Sequence, residues 1–199
     1  MVNNFEHIKP LLSFPNEDTF YFLQIIQRKK DFKKGQISGA NNNSRLIKAY
    51  FVKSIEYLES KEEEIIGLCK LLNARAMVHL QPRSFERIAF QTLKQTTDNI
   101  INGNFDKVHK VFTSACGKFG IGEKKWIIDL DGEESSELYM SFVVETIDFL
   151  RPAGGKVIAT LPSKNGKHLI TSPFELNKFK ERFPKIDVHK NNPVNLYIP

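Results

Sequence analysis

Cysteine is scarce in this chain: two among 199 residues, Cys69 and Cys116, with no Cys-x-x-Cys pair, which leaves zinc ribbons and dithiol redox motifs unsupported. Both lie in stretches read as amphipathic helices and are expected as buried thiols of a reducing compartment. No apolar run approaches the roughly 18 residues of a membrane span. The N-terminus, MVNNFEHIKPLLSF, lacks a basic start followed by an apolar signal core, so the expectation is a cytoplasmic protein without a membrane. Internal repeats and low-complexity linkers are also missing, which argues against solenoids and strings of tethered modules.

What is present is an ordinary globular balance, 41% hydrophobic and 26% charged, in a length that suits one domain or two small lobes sharing a core. Sixteen Phe residues point to an aromatic core. The net charge of +6 permits an anionic partner and is equally compatible with a plain basic surface.

The first part of the chain reads as an α/β lobe, residues 1–122. TFYFLQIIQRKK (19–30) and RLIKAYFVKS (45–54) have strand composition. Between them DFKKGQISGANNNS reads as a charged hairpin loop. Ser60 and Glu63 have capping-box spacing, which predicts a helix through EEIIGLCKLLNA. RAMVHLQP alternates as a short strand, and Ser84 can cap a helix whose face is Phe85, Ile88, Leu93, Thr96 and Ile100. A further helix is expected from about Asp106 to Phe119, with Val108, Phe112, Cys116 and Phe119 inward. Gly117, Gly120 and Gly122 then mark the internal boundary.

From 123 to 199 the order of elements is β-α-β-β-α-β. The strands are KWIIDLD, KVIATLP, HLITS and IDVHK. The helices are SSELYMSFVVETIDFL, inward at 138, 142, 143, 146 and 149–150, and a short one after Ser172. VNLYIP follows IDVHK as a further strand segment. This is the ferredoxin-like, RRM-like unit, an antiparallel sheet with helices on one face. The fold class is therefore α+β. In that topology the first and third strands are central neighbours and the fourth flanks the first. Side chains alternate along a strand, so Asp129 and Asp131 share a face opposite Ile128 and Leu130. His168 begins the third strand and Asp187 the fourth, and both starts fall beside the end of the first.

Three carboxylates so close repel one another unless a divalent cation neutralises them, and oxygen ligands favour Mg2+ or Mn2+. Such a site suits nucleotidyl or phosphoryl transfer. In the turn SKNGK before His168, Ser163, Lys164, Gly166 and Lys167 supply a hydroxyl, cations and backbone N–H groups suited to phosphate oxygens. His189 shares the face of Asp187, and His79 reads as a packed or exposed strand histidine. Arg28, Lys29, Lys30, Lys33 and Lys34 flank the hairpin tip. Arg75, Arg83 and Arg87 surround the RAMVHLQPRSFER junction. Both sets are candidates for nucleic-acid contact.

The three segments IIDLD, SKNGKH and ID resemble the motifs of the archaeo-eukaryotic primase superfamily, the primase-polymerase group. That family has a hydrophobic strand ending in Asp-x-Asp, a Ser/Gly turn into a strand-borne His, and a hydrophobic residue followed by Asp. SKNGK puts one more residue between Ser163 and His168 than the compact form of the second motif. The resemblance covers residues 126–190. It implies an RRM-like catalytic core with metal on Asp129, Asp131 and Asp187, and nucleotide phosphates on Ser163 and His168. It implies a substrate that is an NTP or dNTP, a DNA or RNA template, and a helicase or other replication proteins as partners.

Three rival readings are open. IIDLDGEE resembles the first motif of the HAD phosphatases, but Glu133 stands where Thr or Ser is wanted, and 68 residues after Asp131 are too few for the rest of that sheet. HLIT matches half of a two-histidine phosphoesterase pair, without the second half. The third is a catalytically inactive nucleic-acid-binding or accessory protein on the same fold. RNA-binding sheets of this type use exposed aromatics, whereas Ile127, Asp129 and Asp131 occupy that face here.

Overall fold

The structure, a computed structural model, describes residues 1–31 and 44–199. Within them the chain is α+β, with two antiparallel sheets and six helices. The first part supplies β1 (Val2–Asn3), α1 (Phe5–Ile8), β2 (Thr19–Arg28), β3 (Ser44–Val52), α2 (Ile55–Leu72), β4 (Arg75–Val78), β5 (Arg83–Ser84), α3 (Phe85–Ile101) and α4 (Val111–Lys118). The second supplies β6 (Trp126–Asp131), α5 (Glu137–Phe149), β7 (Val157–Pro162), β8 (Gly166–Thr171), α6 (Leu176–Arg182), β9 (Asp187–His189) and β10 (Val194–Ile198). No helix among the described residues is long and apolar enough to cross a membrane.

β2 and β3 form the expected hairpin, from Tyr21 opposite Val52 to Arg28 opposite Ser44. The large sheet runs β1-β10-β4-β2-β3, with β5 also paired to β2. The residues of β2 alternate between two cores. Tyr21, Leu23 and Ile25 face a core that includes Leu58, Ile65 and Cys69 of α2. Phe20 and Phe22 face Ile88 of α3 and Ala115 and Cys116 of α4, and Phe20 stacks on Phe85 at 4.1 Å. Each fully buried aromatic contributes about 2–3 kcal/mol through the area it removes from water. Both cysteines are buried free thiols whose pKa burial pushes up to about 11.

Local signals shift three helix boundaries. α2 starts five residues before Ser60, because the Ser54 side chain accepts from Tyr57 N–H and caps it. The Ser60 hydroxyl donates to Tyr57 O inside the helix instead. Ser84 caps α3 as expected, accepting from Arg87 N–H. Residues 105–110 are a 3-10 turn, and the regular helix α4 begins at Val111. α6 begins after Glu175, not at Ser172.

The small sheet runs β7-β8-β6-β9, with every neighbouring pair antiparallel. β6 and β8 are the central pair and β9 flanks β6, as the element order leads one to expect. Trp126, Ile128 and Leu130 face α5 and α6, packing with Val143, Ile147, Phe179 and Phe183. In α5 the expected inward residues Leu138 and Phe149 are instead 85% and 79% exposed; the buried residues are Val143, Thr146 and Ile147.

Two corrections concern how the halves meet. β10 does not stay with residues 123–199: it inserts between β1 and β4 of the large sheet. The boundary near 122 therefore separates the sheets only up to β9. The second face of the small sheet is also not open. Ile127, Leu161 and Ile170 pack into the core of the large sheet, leaving a cleft where the polar residues stand. Asn4 ties the halves, its amide donating to Pro162 O at 2.9 Å and Asn195 O at 2.8 Å. Lys125 Nζ adds bonds to Leu11 O and Leu80 O.

Candidate active site

Strand register aligns the key side chains. Asp129 is the direct partner of His168 on β8 and of Asp187 on β9. The three form one row across neighbouring strands, on the face opposite Ile128. Asp131, two residues on, shares that face beside Gly166. His168 Nε2 stands 3.2 Å from Asp129 Oδ1. His168 Nδ1 is buried without a hydrogen-bond partner among the described residues. Asp131 and Asp187 are exposed at the rim.

The row faces a cleft of about 550 Å³ between the two sheets. Its small-sheet wall carries Ile127, Asp129, Asp131, His168, Asp187 and His189. Its large-sheet wall carries Arg28, Asp31, Arg75, Met77 and Asn195, and Ser163 and Lys164 close one end. The volume lies within the range of small-ligand sites, about 300–1,000 Å³. Three carboxylates on the small-sheet wall stand across from two guanidinium groups and the single carboxylate of Asp31 on the large-sheet wall, so the two walls differ in charge. Burial lowers the Arg28 pKa, and the neighbouring Arg75 charge lowers it further, while Asp31 and Asp129 oppose the shift.

The turn between β7 and β8 is built by its own hydrogen bonds. Ser163 N–H donates to Gly166 O at 2.9 Å, and Gly166 N–H donates to Ser163 Oγ at 3.0 Å. Those two N–H groups are therefore engaged, which corrects the expectation that the turn presents them to phosphate. Ser163 Oγ keeps its own O–H to donate. Gly166 has a packing role: a Cβ there would fall 2.0 Å from Leu130 O. Strand alternation puts Lys167 on the opposite face from His168, outside the cleft. Lys164 is on the cleft side and half exposed.

Of the residues expected to contact nucleic acid, Arg28 stands inside the cleft. Lys29 and Arg87 are exposed outside it. Lys33 and Lys34, with the side chain of Lys30, lie outside the described residues. Arg83 is fully buried, its guanidinium donating to Cys116 O and Gln81 O, so it is removed from the contact set. Burial lowers its pKa to about 10. Arg75 is likewise buried rather than displayed at a junction.

Asp31 is the member of the site that sequence reasoning missed. It receives hydrogen bonds from Arg75 Nε at 2.7 Å and from Arg75 Nη2, and Lys164 Nζ stands 3.2 Å from its Oδ1. Burial opposes ionisation of Asp31, but the bonds and charges of Arg75 and Lys164 outweigh it and lower its pKa. Its only sequence signal was an acidic residue in a lysine-rich loop.

The donor chemistry of Asp129, Asp131 and Asp187 fits a hard divalent cation, and facing carboxylates on β6 and β9 are what such a cation neutralises. In the present arrangement no group of three or more His, Cys, Asp or Glu side chains among the described residues is set to hold a metal ion. No protein-family model matches the chain, and neither the curated proteins nor the solved structures contain a significant match.

Proposed function

We propose that the cleft binds a nucleoside triphosphate with Mg2+ or Mn2+, and that the protein transfers nucleotides on a nucleic-acid template. The carrying observation is the row His168, Asp129 and Asp187, which faces Arg28 and Arg75 across one cleft. A uniformly basic cleft suits any anion, and a uniformly acidic one suits any cation. A cleft with both poles suits a polyphosphate carried with a metal. The strand order β7-β8-β6-β9 with two helices on one face supports an RRM-like catalytic sheet. The motifs in the same strands support a primase-polymerase kinship.

Asp129, Asp131 and Asp187 would hold the cation, which when bound supplies neutralisation of phosphate charge and activation of a hydroxyl. His168, positioned against Asp129, would donate to a phosphate oxygen. Ser163 O–H and Lys164 would hold the phosphate tail at the end of the cleft. Arg28 and Arg75 would balance its charge from the large sheet. Lys29 and Arg87, exposed outside the cleft, would contact a template.

The test is nucleotide incorporation. Labelled NTPs or dNTPs, Mn2+ and a single-stranded DNA or RNA template are incubated with the protein and with Asp129→Ala/Asp131→Ala. Extension products that vanish in the variant support the reading. Template binding without incorporation favours the inactive nucleic-acid-binding alternative.

A further inference from the structure

Asp31 ends a 3-10 turn, Lys29–Asp31, that directly follows β2. Its carboxylate and the Arg75 guanidinium are nearly buried, at 8% and 6% side-chain exposure. Arg75 engages it through Nε and Nη2, the two-pronged geometry with which arginine also takes a phosphate. The same Asp31 oxygen, Oδ1, meets both Arg75 Nη2 and Lys164 Nζ. Arg75 belongs to the large sheet and Lys164 to the turn closing the small sheet. The carboxylate thus joins two cations from opposite sides of the cleft, and all three residues line it.

A structural ion pair needs one partner and no cleft. Here an internal anion holds the cations that an incoming oxyanion would seek. Lys164 is 51% exposed and shares its partner's oxygen with Arg75, so it is the more weakly held of the two.

We propose that Asp31 is a built-in competitor for the ligand's phosphate groups: its Oδ1 stands between Arg75 and Lys164 where a phosphate oxygen binds, and the ligand displaces it. The biological ligand named here rests on the nucleotide reading above, but the exchange itself concerns any compact polyphosphate. Displacement costs affinity and ties occupancy of the cleft to release of the strap between the sheets.

The test uses sodium tripolyphosphate with a chelator present, so neither a base nor a metal contributes. Calorimetry compares the unsubstituted protein, Asp31→Asn and, as a charge control, Asp187→Asn. Asp31→Asn is expected to bind about tenfold more tightly, the effect of removing one carboxylate next to a bound anion, and to gain more than Asp187→Asn. Equal gains in the two variants, weaker binding by Asp31→Asn, or no binding by either would overturn the proposal. Loss of Asp31 leaves Arg75 buried without its partner, so a second measurement avoids the variant. In the unsubstituted protein, the Arg75 Nε and Asp31 Cγ resonances are followed as tripolyphosphate is added. Both are expected to shift with the calorimetric midpoint; signals unmoved at saturation overturn the exchange. If the exchange occurs but nucleoside triphosphates with Mn2+ are neither bound nor incorporated, the nucleotide reading fails and the exchange stands.

Discussion

Asp129 on β6 and Asp187 on β9 are direct cross-strand partners, two carboxylates facing each other on one side of a sheet. Like charges placed so are destabilising, by roughly 0.2–1 kcal/mol. A cation held by both groups would relieve that repulsion. Asp187→Asn should therefore stabilise the metal-free protein by about 0.5 kcal/mol in urea unfolding while abolishing metal-dependent nucleotide binding. A loss of stability in the variant would mean that Asp187 has a structural partner instead.

Gly166 is where the turn meets β6. An added methyl would lie 2.0 Å from Leu130 O, and backbone cannot yield as a flexible side chain does. Gly166→Ala should cost about 3 kcal/mol in urea unfolding and displace the turn that carries Ser163 and Lys164. An unchanged midpoint would show that β8 shifts freely against β6.

His79 gives a pH signature. Burial lowers its pKa from 6.5 to about 3, with the Arg83 charge adding to the effect, and its ring stacks on Phe22. The folded state keeps His79 neutral while the unfolded chain protonates it. Stability should therefore fall as pH drops from about 6.5 towards 3, by on the order of 4 kcal/mol from this group. His79→Phe should flatten that part of the curve in denaturant titrations at successive pH values. The same slope in the variant would assign it to other groups.

Arg83 and Arg87 should separate folding from binding. Arg83→Ala leaves Cys116 O and Gln81 O without their donor in a buried place and should cost about 3 kcal/mol. Arg87→Ala, on the exposed side of α3, should change stability by less than about 0.5 kcal/mol and weaken template binding. Gel-shift assays at two salt concentrations, paired with thermal unfolding, distinguish the effects.

The small sheet was legible because its strands are short, alternating and separated by clear turns. Once β6, β8 and β9 are placed antiparallel, Asp129, His168 and Asp187 must converge. β10 was harder: VNLYI is buried throughout, and such a strand carries no alternation to say which sheet it joins. In α5 apolar residues lie nearly all round, so periodicity could not choose Val143 and Ile147 over Leu138 and Phe149. Asp31 was out of reach for another reason. Its partners are 44 and 133 residues away in sequence, and only the meeting of the two sheets brings them together.

The most direct measurement is calorimetric titration of a nucleoside triphosphate in Mn2+, with the unsubstituted protein and Asp129→Ala/Asp131→Ala. The account predicts metal-dependent binding that is absent from the variant and absent when the metal is chelated. Binding that survives both changes, or no binding to the unsubstituted protein at millimolar nucleotide, would contradict it.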